Sequence, residues 1–219
     1  MYCPCCDTES AFLPFGVKPR QNARCPHCGA LERHRLLWLF LHSRHQLLSA
    51  GMRLLHVAPE PILRRLFEAT PGVHYISADL DAASGVRLDI TRLPFAPGTL
   101  DGVVCNHVLE HVPEDRAALR ELRRALRPTG WAILQSPLDG RREETYEDPS
   151  VTDPGERERL FDQFDHVRIY GRDYATRLRA AGFHVDVVTF AETLQPDDVT
   201  RCGLRSENIY LCRPAASAA

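Results

Sequence analysis

Apolar residues are sparse and irregular from Met1 to about Ala30, recur at helical spacing from Leu31 to Ala50, and then gather into short runs separated by polar, turn-rich stretches. The first segment is rich in Cys, Pro and Gly, a composition that suits a fold held by metal ligands rather than by an apolar core. The run LERHRLLWLFLHSRHQLLSA predicts a helix with Gly51 as its C-cap. Beyond it, strand signals (RLLHVA, VHYISA, a short RLDI, LDGVVCN, WAILQSP) alternate with helix signals (PILRRLFEA, DRAALRELRRAL), a pattern that predicts a parallel sheet. A polar stretch follows Pro137 as far as about Asp165, and the chain closes with a helix RDYATRLRAAG and strands FHVDVVTF and NIYLC. The pattern divides the chain into a knuckle at 1–30, a linking helix at 31–51 and an α/β domain at 52–214.

Composition adds exclusions. With 219 residues, 44% hydrophobic and 26% charged, the chain has the make-up of an ordinary folded protein. Its 27 basic and 29 acidic residues give a formal charge of −2, so no global field draws it to nucleic acid or to anionic membranes. The opening MYCPCCDTES lacks a charged region followed by an apolar run, and Leu36 to Leu41 is far too short to span a bilayer. A cytoplasmic protein with no membrane partner is expected.

Of the eight cysteines, Cys3 and Cys6 form one Cys-x-x-Cys pair and Cys25 and Cys28 another, a spacing typical of four-thiolate zinc sites. Such a set closes the coordination sphere, so a structural Zn2+ is expected, with Gly29 letting the backbone fold around the sulfurs and Cys5 and His27 as spare ligands. Cys105 and Cys212 sit in apolar strand runs and read as small core residues. The knuckle could also grip RNA or DNA through Arg20, Arg24, Arg33 and Arg35, but few aromatics interleave with them to stack on bases, and nucleic acid is not favoured.

In open parallel sheets, ligands bind beyond the carboxyl ends of the strands. Asp79 ends the strand VHYISA, with Asp81 behind it, and a carboxylate there can accept both hydroxyls of a ribose. The stretch LDITRLPFAPGTLDGVVCNHVLEHVPEDRAALRELRRALRPTG, continuing through WAILQSP, closely resembles the central motif of the class I methyltransferases that depend on S-adenosylmethionine (SAM). The resemblance implies a Rossmann-like, seven-stranded, mostly parallel sheet flanked by helices with its last strand antiparallel, in keeping with the closing pair of strands. It implies that Asp89 accepts the adenine amino group while the Ile90 amide meets the ring, and that Asn106 and His107 flank the reacting methyl. His111 reads rather as a packing residue.

The resemblance breaks after the first strand, where the family carries an acid and a Gly-x-Gly turn and this chain has HVAPEPIL. Ala58 stays small, Pro61 suits a first helical residue and Glu60 is the candidate partner for the SAM ammonium. Only six residues, Leu80 to Gly85, separate the second strand from the third, so the usual crossover helix is expected to be missing or reduced to a turn. The chain is also similar to a bacterial subgroup with an N-terminal Cys-x-x-Cys, Ala-Pro-Glu at 58–60 and Asp-His-Val-Arg at 165–168.

The segment from Asp139 to Tyr170 is polar enough to read as the acceptor side of the site. His107 and His166 are the candidate bases, and Tyr146, Arg168 and Tyr170 the candidate substrate contacts. A small-molecule methyl acceptor is expected. The rivals are an RNA-directed enzyme and a degraded, zinc-bearing scaffold without catalysis; a dinucleotide-dependent dehydrogenase would want a Gly-x-Gly-x-x-Gly turn that the chain lacks.

Overall fold

The computed structural model describes residues 1–16, 18–80 and 85–216. In chain order the strands are β1 (Tyr2–Cys3), β2 (Thr8–Glu9), β3 (Leu13–Phe15), β4 (Arg20–Arg24), β5 (Arg53–Val57), β6 (His74–Asp79), β7 (Val86–Arg87), β8 (Leu100–Asn106), β9 (Leu126–Gln135), β10 (Tyr146–Glu147), β11 (Arg168–Ile169), β12 (Phe183–Val188) and β13 (Ile209–Pro214). The helices are α1 (Glu32–Ser43), α2 (Pro61–Ala69), α3 (Asp115–Ala125), α4 (Pro154–Phe161), α5 (Tyr174–Ala180) and α6 (Pro196–Arg201).

These elements form two compact units that interleave in sequence. One gathers Met1–Gly51, Glu60–Val73 and Val188–Ile209; the other gathers Met52–Pro59, His74–Val187 and the chain from Tyr210 onward. The segments 60–73 and 188–209, which the linear pattern places in the α/β domain, therefore lie in the same unit as the cysteine-rich start.

In the first unit, antiparallel hairpins β1–β2 and β3–β4 precede α1. The cysteines, Phe12, Ala30 and Ile62 of α2 form a small apolar cluster. Arg35 of α1 is wholly buried, and its guanidinium donates to the carbonyls of Ala23, Ala30, Cys202 and Gly203 at 2.7–3.0 Å while lying 4.4 Å from the Phe12 ring centre. A buried cation satisfied by four carbonyls ties three distant stretches of chain into one body. α1 stops at Ser43 and passes into a 3-10 turn at His45–Leu47, short of the full 31–51 helix, where the polar run Ser43–Gln46 interrupts the apolar stripe.

The second unit is built on a seven-stranded sheet in the order β12-β13-β9-β8-β5-β6-β7. β7, β6, β5, β8 and β9 run parallel, and β13 is antiparallel to β9. Ala118, Leu119, Leu122 and Ala125 recur along α3 at the spacing of one helical face and join Tyr174 and Leu178 of α5 in a core with Leu55, Val103, Cys105, Leu134 and Cys212 of the sheet. Both strand cysteines are fully buried, as the apolar runs predict. β6 pairs with β7 through Ala78↔Val86 and Asp79↔Arg87, and Gly85 at φ +126° has its Cα so close to Ser77 that a Cβ would stand 2.4 Å from the Ser77 hydroxyl oxygen. Asp81 and the expected loss of the crossover helix fall at 81–84, outside the described residues.

The polar stretch after Pro137 is a folded insertion. β10 pairs with β11 through Tyr146↔Ile169 and Glu147↔Arg168, and Val151, Phe161 and Ile169 make a local apolar cluster with Tyr146 and Leu160.

Candidate functional site

The parallel strands bring the carboxyl ends of β5, β6, β8 and β9 to one edge, with Val57 in register with Ala78 and Cys105, and Asn106 with Gln135. Ala58 follows β5 at φ +46°, with its amide donating to the Ala78 carbonyl at 2.8 Å. This is the left-handed conformation for which a glycine is the ordinary choice, so the backbone keeps a glycine-type turn although the residue has changed. Asp79 ends β6 with its side chain partly exposed. Asp89 is exposed and folds back on its own turn, its Oδ1 accepting from the Thr91 amide and hydroxyl, both at 2.8 Å, while Ile90 beside it is buried.

Glu60 belongs to the other unit, at the N-cap of α2. Its Oε1 lies 2.8 Å from His34 Nε2 and accepts from Arg33 Nε at 3.3 Å. Glu60 is thereby engaged with α1.

At the end of β8 the chain turns sharply. Asn106 is buried, and His107 takes φ +54°, a left-handed conformation that strains a side chain of this size. Its Nδ1 faces Glu110 Oε1 at 3.6 Å, and its Nε2 is buried with no hydrogen-bond partner among the described residues. Glu110 is almost wholly buried and accepts from Ser136 Oγ at 3.0 Å. Burial opposes its ionisation, but the hydrogen bond and charge of His107 outweigh that and hold the carboxyl below its usual range. His111 and His166 complete the cluster: with Glu110 they bring one ligand atom each within 4.8 Å of one another. His166 Nδ1 donates to the Phe161 carbonyl at 2.8 Å, and burial pushes its pKa below the usual value. His111 stands on this cluster rather than serving packing alone, with its ring 4.7 Å from that of His166.

The acceptor contacts read from the sequence are corrected at two positions. Arg168 is buried: Nε donates to Glu147 Oε2 at 2.9 Å, one terminal nitrogen donates to the Leu109 carbonyl at 2.8 Å and to the Val112 carbonyl, and the other to the Pro113 carbonyl at 2.7 Å. Tyr170 is fully buried and donates to Asp115 Oδ2 at 2.7 Å, where Arg177 also binds. Burial disfavours the Asp115 carboxylate, yet Arg177, Tyr170 and Arg168 together depress its pKa. Arg168 and Tyr170 are thus spent on fastening the 109–115 turn to the insertion, leaving no free fork for a substrate. Tyr146 packs on Phe161, ring centres 5.6 Å apart, beneath Arg142.

In the first unit the Sγ atoms of Cys3, Cys6, Cys25 and Cys28 lie within 4.8 Å of one another, with Cys3–Cys28 at 3.6 Å and Cys6–Cys25 at 3.8 Å. Four thiolates around a tetrahedral ion with 2.3 Å bonds stand about 3.8 Å apart, so the donor set fits one. Gly29, at φ +79°, makes the turn that returns its amide to the Cys25 carbonyl at 3.0 Å. At Cys25 burial works against the thiolate, but the amides of Cys28 and His27 prevail and bring the thiol down to about 7. Of the four arginines weighed for nucleic acid, Arg20 pairs with Glu32 at 3.0 Å, Arg33 with Glu60, and Arg35 is buried; Arg24 alone of the four is exposed.

Residues 62–134 match the model of a methyltransferase domain. The strand order and the likeness to solved structures agree with this in fold. The chain has the Rossmann-like fold of the class I methyltransferases. Over 86 residues it is 34% identical to an uncharacterized methyltransferase of Mycolicibacterium gilvum, a match covering 39% of this chain and 31% of that protein, so the chain spans about a third of the relative's length. In structure the chain is similar to the [4+2]-cyclase SpnF, with a TM-score of 0.58, 16% identity and coverage of 84% of this chain and 82% of the other. It is likewise similar to the YcgJ protein of Bacillus subtilis, with a TM-score of 0.55, 16% identity and coverage of 84% and 100%. SpnF is a cyclase on a similar scaffold, so the fold by itself does not name the reaction.

None of the described helices is long and apolar enough to cross a membrane. The sequence missed the meeting of Glu110, His111 and His166. His166 stands more than 50 positions from the other two, and it is carried back to the turn by its chain neighbours: the Val167 amide donates to the Glu110 carbonyl at 2.9 Å, and Arg168 donates to the Leu109 and Val112 carbonyls.

Proposed function

We propose that the domain transfers the methyl group of SAM to a heteroatom of a small-molecule acceptor, with His107 as general base. The observation that carries this reading is the His107 side chain itself, held in a strained backbone conformation at the end of β8, with Nδ1 toward buried Glu110 and Nε2 buried and unpartnered among the described residues. When bound, SAM supplies an electrophilic methyl on a sulfonium. Asp79 would hold the ribose hydroxyls, Asp89 through Oδ2 and the Ile90 amide would hold the adenine, and Ala58 would let the backbone approach the amino-acid end. The retained left-handed turn at Ala58 supports that fit despite the missing glycines.

Glu110 keeps the proton of neutral His107 on Nδ1, which leaves the Nε2 lone pair to receive the proton of the acceptor. Nε2 of His107 would take the proton of the acceptor X–H, leaving the heteroatom nucleophilic toward the methyl group that SAM would supply when bound. The imidazolium is stabilised by the Glu110 carboxylate, which Ser136 orients. Position at this edge equally supports a part for His166. In the other unit the four cysteines hold a structural Zn2+, and thiolate ligands together with buried free thiols suit a reducing, cytoplasmic compartment.

The test is His107→Gln, which keeps size and a polar tip but removes the base. S-adenosylhomocysteine should bind as in the wild type, while SAM turnover against a panel of thiols, phenols and amines falls at least a hundredfold. Turnover at the wild-type rate by the variant sinks the assignment.

A further inference from the structure

Buried carboxylates in this protein are generally matched by arginine: Asp115 by Arg177, Glu32 by Arg20. Glu110 is different. It is 2% exposed, its one ion-pair partner among the described residues is His107, and its nearby basic groups are histidines, which carry no obligatory charge. A buried carboxylate facing two imidazoles is the donor set of a divalent transition-metal site.

The surroundings fix the imidazoles as ligands. A carbonyl only accepts, so the Phe161 carbonyl 2.8 Å from His166 Nδ1 places the proton on Nδ1 and leaves Nε2 with a bare lone pair. His111 Nδ1 stands 3.3 Å from Asp165 Oδ2, and Asp165 is held in turn by the Gln163 side-chain amide at 2.8 Å, so its Nε2 is the bare nitrogen too. An imidazole whose second nitrogen is tied to a carbonyl or a carboxylate is the usual outer layer of a metal site. Glu110 retains coordinating capacity, because each carboxylate oxygen has two lone pairs and Ser136 and His107 use one apiece. One nitrogen of each imidazole and one carboxylate oxygen of Glu110 lie within 4.8 Å of one another, and an ion with bonds of about 2.0–2.1 Å would draw them to about 3.3 Å.

We propose that Glu110, His111 and His166 bind a divalent transition-metal ion, of which Zn2+ and Co2+ are representative, at a site separate from the four-cysteine cluster. Three protein ligands leave a coordination position open, unlike the closed thiolate set, so this ion can take an exogenous ligand bearing an oxygen, nitrogen or sulfur donor. Beside His107, that position would seat the acceptor heteroatom and ease loss of its proton; this last role rests on the methyl-transfer reading, whereas metal binding does not.

The test uses the full chain with its cysteine site loaded with Zn2+, titrated with Co2+ and followed by visible absorption and metal analysis, without SAM. A second equivalent should bind with the weak visible bands of nitrogen and oxygen ligation and no sulfur-to-cobalt charge transfer. His111→Ala and His166→Ala should each weaken that second event at least tenfold while the zinc of the cysteine site stays at one per chain. His111 is half-exposed, so its variant should fold even where the buried His166 variant does not. A single metal equivalent in the wild type, thiolate bands on the second equivalent, or undiminished binding by His111→Ala overturns the proposal. Loss of the second equivalent in His107→Gln is not expected, and that variant separates metal binding from methyl transfer.

Discussion

Replacing Arg168 with Ala tests whether this residue fastens the site or serves substrate. The side chain is 3% exposed and donates to Glu147 and to the carbonyls of Leu109, Val112 and Pro113. The three carbonyls belong to the turn that carries Glu110 and His111, and truncation leaves them facing a cavity. Removing one partner of a buried, charge-assisted network costs about 3–5 kcal/mol. For a chain of 219 residues each kcal/mol lowers the melting temperature by about 2–4 °C, so the variant should melt about 6–20 °C below the wild type. Arg168→Lys should recover little, since a point charge cannot reach four acceptors from one planar fork. Circular dichroism melts of the three proteins are the assay. A melting point within 2 °C of wild type, coupled with lost methyl transfer, would refute the tethering role and restore the substrate contact that the sequence suggested.

Cys25→Ser should lower zinc content and melting temperature together, checked by metal analysis and calorimetry; one zinc per chain at unchanged stability would show the ligand set to be wrong. Ala58→Gly should raise stability by about 0.5–1 kcal/mol in urea unfolding, because it relieves a non-glycine residue at φ +46°. His166 has a folded pKa depressed from 6.5 by burial, so the unfolded chain binds more protons in that window: stability should fall as pH drops below about 6.5, and His166→Gln should flatten that slope.

The sheet was legible because each parallel strand is a short apolar run bracketed by turn residues, and the closing pair of strands reads the same way. α1 was overextended because Leu47 and Leu48 continue the helical spacing past Ser43, where a 3-10 turn intervenes. The insertion was harder to read. Its apolar cluster draws on Tyr146, Val151, Phe161 and Ile169, too widely spaced to show a period, so polarity alone suggested an open loop. Buried arginines were the main source of error in the site. Arg35 and Arg168 look like surface or ligand-binding residues in any local window, and only long-range carbonyl acceptors reveal them as fasteners. The cysteine cluster needed no such help, since its two local pairs announce it.

Binding of S-adenosylhomocysteine, measured by isothermal titration calorimetry on the wild type and on Asp79→Ala, bears most directly on the central claim that the strand ends of this domain form a SAM site. Saturable binding at one per chain is expected for the wild type, weakened in the variant by about 1.5–3 kcal/mol, roughly ten- to 150-fold, for the loss of a charge-assisted hydrogen bond to the ribose. No saturable heat with the folded wild type, or equal affinity in both proteins, would contradict it.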